Sequence, residues 1–398
     1  LLLLFPRLDA PLWDLQLGDE RAITGLKNWL EPGSITELIV SGEDAFRVRF
    51  DTPTSLRTEA MYWRGPVLWY STGRRWLPWS ARPGQDAASA EAMPVRELLA
   101  EPLSYTVVLE PTDQRWLFAL ELPTRLPDRA RLTADFQLLA EKPVADLRLY
   151  RASSVLDYRM TQLAKDQEEA ALQLPPNLTE RMRSLVADWQ AASETDAEVV
   201  QQALRFFNQE PFSYTLLPPA LGANPADEFL FETQAGFCEH YASSFVLLMR
   251  LAGIPSRIVL GYLGGEYNPL SGDYLIRQSD AHAWGEVWLD GRGWTRADPT
   301  AAIDPARVER ELRFDTLGRS APARFRVEET SALGQLVRGA RFLTDAFDSG
   351  WKNWVVGFSS RDQLRLLDRL GLAQLREYGL ALLMTLAGSA VMLGWALA

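Results

Sequence analysis

Apolar positions recur with a period of two through much of the first half of the chain and with a period near 3.6 in several segments that follow. The stretches 38–40, 45–50, 105–109, 116–120 and 147–150 are short apolar or alternating runs separated by Gly, Pro, Asp and Ser, the pattern of half-buried strands. Together they predict an antiparallel β-sandwich-like domain over residues 34–152. Within it the aromatic stretch 62–76 reads as a hairpin turning near Ser71-Thr72-Gly73, its rings serving as β core. Residues 153–177, ending near Pro175-Pro176, read as a linker.

Helical spacing then takes over. Met182, Leu185, Val186 and Trp189 mark a helix over 178–190, and the capping box Thr195-Asp196-Ala197-Glu198 opens a second that runs to about Asn208. A third, apolar helical run at 242–251 is stopped by Gly253-Ile254-Pro255, and the segments 257–263, 274–276, 282–289 and 294–298 read as strands. The pattern is that of an α+β protein, and no internal repeat is visible.

The far end is amphipathic over 333–372, through Leu336, Val337, Ala340, Phe342 and Leu343 and then Leu364, Leu366, Leu367 and Leu370. Residues 316–378 are therefore expected to be a helical membrane-proximal segment. Residues 379–398 carry no charge, and at about 1.5 Å per residue such a stretch crosses roughly 30 Å of hydrocarbon, so a transmembrane helix is expected there. Leu1-Leu2-Leu3-Leu4-Phe5 reads as the trimmed end of an earlier span, at the start of a membrane-proximal segment 1–33. Arg365, Arg369 and Arg376 precede the final span, but long domains translocate largely regardless of such charges.

Composition narrows the chemistry. The 398 residues carry a formal net charge of -11, which argues against a nucleic-acid partner, because affinity for a phosphate backbone rests on Lys and Arg displacing counterions. With one cysteine, Cys238, the chain forms no internal disulfide. Cys238, His240 and His282 cannot complete a zinc site of the Cys/His type, and no metal or organic cofactor is implied.

One region concentrates reactive side chains. Gly236-Phe237-Cys238 leads into the apolar helix, so the sulfur falls in the first turn, where free backbone amides favour thiolate. His282 begins one strand, and Asp298 ends its neighbour across the Gly-rich turn at 291–293. An antiparallel pairing brings both to one end of the sheet. A thiolate attacks, an imidazole moves the proton, and a carboxylate orients the imidazole. His240 is a rival base, yet two residues along a helix from Cys238 it points about 200° away. Asp280 and Asp290 are rivals of Asp298, but Asp280 lies on the same strand as His282 and Asp290 in the tight turn.

The ordered blocks Gly-x-Cys, Gly-Ile-Pro-x-Arg, His-Ala-Trp-x-Glu-Val and Gly-Trp-x-x-x-Asp-Pro-Thr resemble the transglutaminase-like superfamily. That resemblance implies a papain-like core over 178–315, in which a helix carrying Cys238 packs on an antiparallel sheet. It makes Cys238 the nucleophile, His282 the base and Asp298 the orienting carboxylate of an acyltransferase. Phe5-Pro6-Arg7, Tyr62-Trp63-Arg64-Gly65 and Gln363-Leu364-Arg365-Leu366-Leu367 resemble the bacterial membrane-anchored members. This implies an inner-membrane protein whose soluble region lies in the periplasm.

The expected substrates are a protein or peptide glutamine donor and a primary amine acceptor such as lysine. Trp284 beside the base is expected at the substrate. Trp189 and Gln234 are candidates for a second oxyanion donor beside the Cys238 amide. Five acids and no Lys or Arg lie between Phe206 and Met249, and among them Glu232 and Glu239 are candidates to attract the amine. The same trio with water as acceptor describes a cysteine peptidase or amidase, and a non-catalytic papain-like scaffold is the third reading.

Overall fold

The computed structural model describes residues 25–303, apart from 40, 55 and 82–95. Two large sheets organise it. The first contains β2 (Tyr62–Ser71), β3 (Trp76–Pro78), β5 (Ala119–Leu120), β8 (Ser256–Leu263), β11 (Ala281–Leu289) and β12 (Gly293–Ala297), in the order β12-β11-β8-β2-β3 with β5 also paired to β2. The second runs β9 (Glu266–Asn268), β10 (Asp273–Arg277), β1 (Asp44–Phe50), β4 (Leu103–Leu109), β7 (Arg148–Val155) and β6 (Leu122–Arg125).

Both sheets mix strands from the two halves of the chain. β2 pairs antiparallel with β8, Trp63 opposite Tyr262, and β1 pairs antiparallel with β10, Val48 opposite Tyr274. Strands from within 34–152 thus share each large sheet with strands from the second half of the chain. Alternation in sequence marks which segments are strands but does not name their lateral partners. Nor is 153–177 a bare linker: it holds the end of β7, a short strand Tyr158–Met160 and a helix Lys165–Ala171.

Among the described residues, the three long helices of the C-terminal part are α1 (Glu180–Ala191), α2 (Asp196–Gln209) and α3 (Cys238–Leu251). The Thr179 hydroxyl caps α1 by accepting from Met182 N, and the Thr195 hydroxyl caps α2 by accepting from Glu198 N. α3 lies on the face of β11 and β8 lined by Ala283, Val287, Ile258 and Leu260, and all of its residues from Cys238 to Arg250 except Ser243 are buried. Gly285 clears the ring of Phe245 on that helix, since a Cβ there would stand 2.9 Å from it.

One local expectation fails. The apolar run at 38–40 predicts a strand, but Thr36–Ile39 forms a single helical turn, with Leu38 on it and Ile35 just before it, three apart, both buried. The turn at Ser71-Thr72-Gly73 does join two paired strands, and Gly73 takes a φ of 93° there. Among the described residues no helix is long and apolar enough to cross a membrane. The expected span 379–398 and the helical segment 316–378 lie outside the described residues.

Candidate active site

Cys238 is the first residue of α3, entered from Phe237 in extended conformation. The entry is tight because His240 folds back: its Nδ1 accepts the Phe237 N–H at 3.4 Å, and a Cβ on Gly236 would stand 2.8 Å from the His240 Cβ. His240 therefore closes the helix start and is turned away from the sulfur, as a separation of two residues requires. Burial pushes its imidazole down to about 4.

β11 and the end of β12 deliver the other two groups. His282 Nε2 meets Asp298 Oδ2 at 2.8 Å, and both side chains are buried. The imidazole also interacts with the side chain of Cys238, which favours its protonated form. With Nε2 committed to the carboxylate, Nδ1 is the nitrogen left for the sulfur. Asp298 Oδ1 accepts from Thr300 N at 2.9 Å and Ala301 N at 3.4 Å, and Oδ2 accepts a second bond, from the Tyr62 hydroxyl at 2.8 Å.

Charge follows from this pattern. Burial disfavours an imidazolium, but the Asp298 carboxylate and the neighbouring Cys238 side chain override it and push His282 up to about 10. Burial likewise opposes charge on Asp298, yet His282, Tyr62 and Thr300 together hold its carboxyl below the usual range. The arrangement can therefore carry an imidazolium beside a sulfur, with a carboxylate fixed as acceptor only. Asp280, the rival expected on the His282 strand, lies instead in a 3-10 turn over Gln278–Asp280 just before it and accepts from Arg277 N at 2.8 Å.

Two tyrosines complete the surroundings. Tyr214 stands opposite Gly236 in a short parallel pairing, and its hydroxyl interacts with Cys238. Sequence reading passed over it, because Ser213-Tyr214 is a two-residue strand without a motif. Tyr62 lay inside a block singled out for its resemblance, but its reach across 236 positions has no local signal.

The other expected site residues fall elsewhere. Trp284 is fully buried, its ring near-parallel to His282 at 6.2 Å and edge-on to Tyr62 at 5.2 Å, so it backs the imidazole rather than lining an approach. Glu239 is 1% exposed and accepts from Gly33 N and from Ser34 Oγ at 3.1 Å; it anchors the 33–35 segment to α3 instead of attracting an amine. Glu232 is exposed but binds Arg181 at 2.6 Å, and Arg181 also clamps Asp227. The acidic stretch thus borrows a cation from α1, which a count between 206 and 249 misses. Trp189 packs edge-on against Phe206 in the helical core. Gln234 takes a left-handed φ of 47° where its N–H bonds Phe229 O, and its carbonyl accepts from Ser213 N at 2.8 Å.

A cysteine at a helix start, packed on an antiparallel sheet that carries a His–Asp pair, defines a papain-like protein of the transglutaminase type. Residues 183–299 match the family model of the transglutaminase-like superfamily, and residues 1–161 match that of the TgpA N-terminal domain. The chain is 38% identical over 378 residues to a protein-glutamine gamma-glutamyltransferase of Pseudomonas aeruginosa, covering 93% of this chain and 54% of that protein. It is 32% identical over 164 residues to the uncharacterized protein YebA of Bacillus subtilis, 38% of this chain and 22% of that one. The chain thus spans about half the length of the first of these curated relatives and less of the second. The crystal structure of the periplasmic domain of TgpA from Pseudomonas aeruginosa superposes with a TM-score of 0.67 at 39% identity, covering 73% of this chain and 99% of that domain. The chain belongs to the transglutaminase-like superfamily.

Proposed function

We propose that the protein is a protein-glutamine gamma-glutamyltransferase in which Cys238, His282 and Asp298 carry the chemistry. The observation that carries this reading is the buried His282–Asp298 pair, 2.8 Å between Nε2 and Oδ2, with the imidazole interacting with the side chain of Cys238 at the helix start. The thiolate attacks the carboxamide carbon of a glutamine side chain. The tetrahedral oxyanion is met by the backbone amide of Cys238 at the start of the helix, beside the Tyr214 side chain. The imidazolium gives its proton to the leaving nitrogen, ammonia departs, and a thioester remains. A primary amine then attacks the thioester carbon, His282 takes the amine proton, and the C–S bond breaks to release an isopeptide and the thiolate–imidazolium pair.

The periplasmic origin of the superposed TgpA domain supports a periplasmic soluble region here, with residues 379–398 as its anchor in the inner membrane. The reaction is tested by incubating the protein with a glutamine donor and a labelled amine, beside Cys238→Ala. Amine incorporation by the parent and none by the variant is expected. Release of glutamate without incorporation makes the protein an amidase, and no turnover of any donor leaves the fold as a scaffold.

A further inference from the structure

The Tyr62-Trp63-Arg64-Gly65 block belongs to the N-terminal half, outside the segment that matches the transglutaminase-like family model, yet its first side chain reaches the reacting groups. Tyr62 opens β2 and pairs with Leu263 across the join between the two halves. Its hydroxyl donates to Asp298 Oδ2 at 2.8 Å, the oxygen that also meets His282 Nε2 at 2.8 Å. Two backbone amides hold Oδ1. They fix one oxygen but leave the carboxylate free to swing about it, so without the phenol the direction of Oδ2 rests on His282 alone.

The phenol is itself held on two sides. Trp284 meets its ring edge-on, and the Arg296 guanidinium lies 3.8 Å from its centroid while pairing with Glu121, another N-terminal residue. Burial, with Asp298 adding to it, keeps the hydroxyl protonated, so it serves as a donor throughout the working pH range.

We infer that Tyr62 is a positioning residue of the acyl-transfer site, its hydroxyl locking Asp298 Oδ2 toward His282 Nε2, so that the core at 183–299 has an incomplete site without the N-terminal half. The inference rests on the transglutaminase reading only for the identity of the substrate, because the state of the Cys238–His282–Asp298 chain can be measured without turnover.

The test is the rate of Cys238 alkylation by iodoacetamide between pH 4 and 10, recorded with the melting temperature on the full chain. Tyr62→Phe is expected to react about tenfold more slowly than the parent at pH 6 and equally fast above pH 9, because a loosened carboxylate no longer sustains the imidazolium that keeps the sulfur reactive. Tyr105→Phe removes another buried hydroxyl, one bonded to Ser154 Oγ at 2.7 Å and Leu120 N at 2.9 Å. It is expected to lower the melting temperature and leave the profile in place. A Tyr62→Phe profile superimposed on the parent, or an equal displacement in Tyr105→Phe, overturns the inference. Should Tyr62→Phe not fold, 4-aminophenylalanine and 4-fluorophenylalanine at position 62 make the comparison. The first keeps a donor and is expected to match the parent, the second lacks one and is expected to be slow, and coincident profiles overturn the inference. Failure of amine incorporation with a displaced alkylation profile refutes the transglutaminase reading and leaves the role of Tyr62 standing.

Discussion

β11 carries two buried ion systems on one face, four residues apart, and they behave in opposite ways. At its start, His282 faces Asp298 and the Cys238 sulfur. Further along the same face, Glu286 is gripped by Arg64 from β2, with Nη2 to Oε2 at 2.7 Å, and by Arg257 from β8, with Nε to Oε2 at 2.8 Å. Burial works against charge in both. In the second, two guanidinium groups outweigh it and hold Glu286 down to about 2. Among the described residues the Nη atoms of Arg257 have no hydrogen-bond partner, but its guanidinium lies 3.9 Å from the Trp294 ring centroid and 5.0 Å from that of Trp69. The difference between the systems is the titratability of the cation. Arginine cannot release a proton and so makes a permanent clasp, whereas histidine can and so makes a proton carrier.

Asp298→Asn breaks the reactive system at its acceptor. It should cut amine incorporation by roughly 10,000-fold, through the wrong imidazole tautomer, while the folded state persists by circular dichroism. Glu286→Gln breaks the clasp and should do the reverse. It strands two buried guanidinium groups, so unfolding in urea is expected to lose about 3–5 kcal/mol, with activity falling only as far as the folded fraction falls.

His240, buried and away from both systems, sharpens the contrast as a histidine that stays neutral. Its folded value near 4 lies below the ordinary 6.5, so as pH falls between those values the unfolded chain takes up a proton that the native protein refuses. Stability is therefore full above 6.5 and declines toward 4, by about 3 kcal/mol, and His240→Gln should flatten that slope in urea titrations. The smallest effect belongs to Glu232. Its pair with Arg181 is exposed, so Glu232→Gln should change stability by less than about 1 kcal/mol and leave the apparent KM for the amine unchanged.

The parts of the site legible in sequence are those fixed by local pattern. Gly-x-Cys before an apolar run placed the sulfur at a helix start, and two strands about a Gly-rich turn placed His282 beside Asp298, because hairpin pairing is set by near neighbours. Tyr62, Tyr214 and the Arg64–Glu286 pair were not legible as contacts, since each depends on which distant strands lie side by side. The exposed-acid reading of Glu239 failed for the same reason: the 33–35 segment that covers it lies some 200 positions away. The pairing of N-terminal with C-terminal strands was not legible either, because alternation reports burial of one face and is silent on edges.

The shared sheets also bear on how the chain is made. β2 waits for β8, and Arg64 for a carboxylate 222 positions downstream, so a ribosome or translocon delivers the first half with an open strand edge and an unpaired cation. Emergence of the Cys238 helix and the strands after it closes that edge. Assembly of the reactive centre and burial of the N-terminal half are then one event, and a chain halted before residue 256 should be an aggregation-prone, chaperone-dependent intermediate rather than a folded domain.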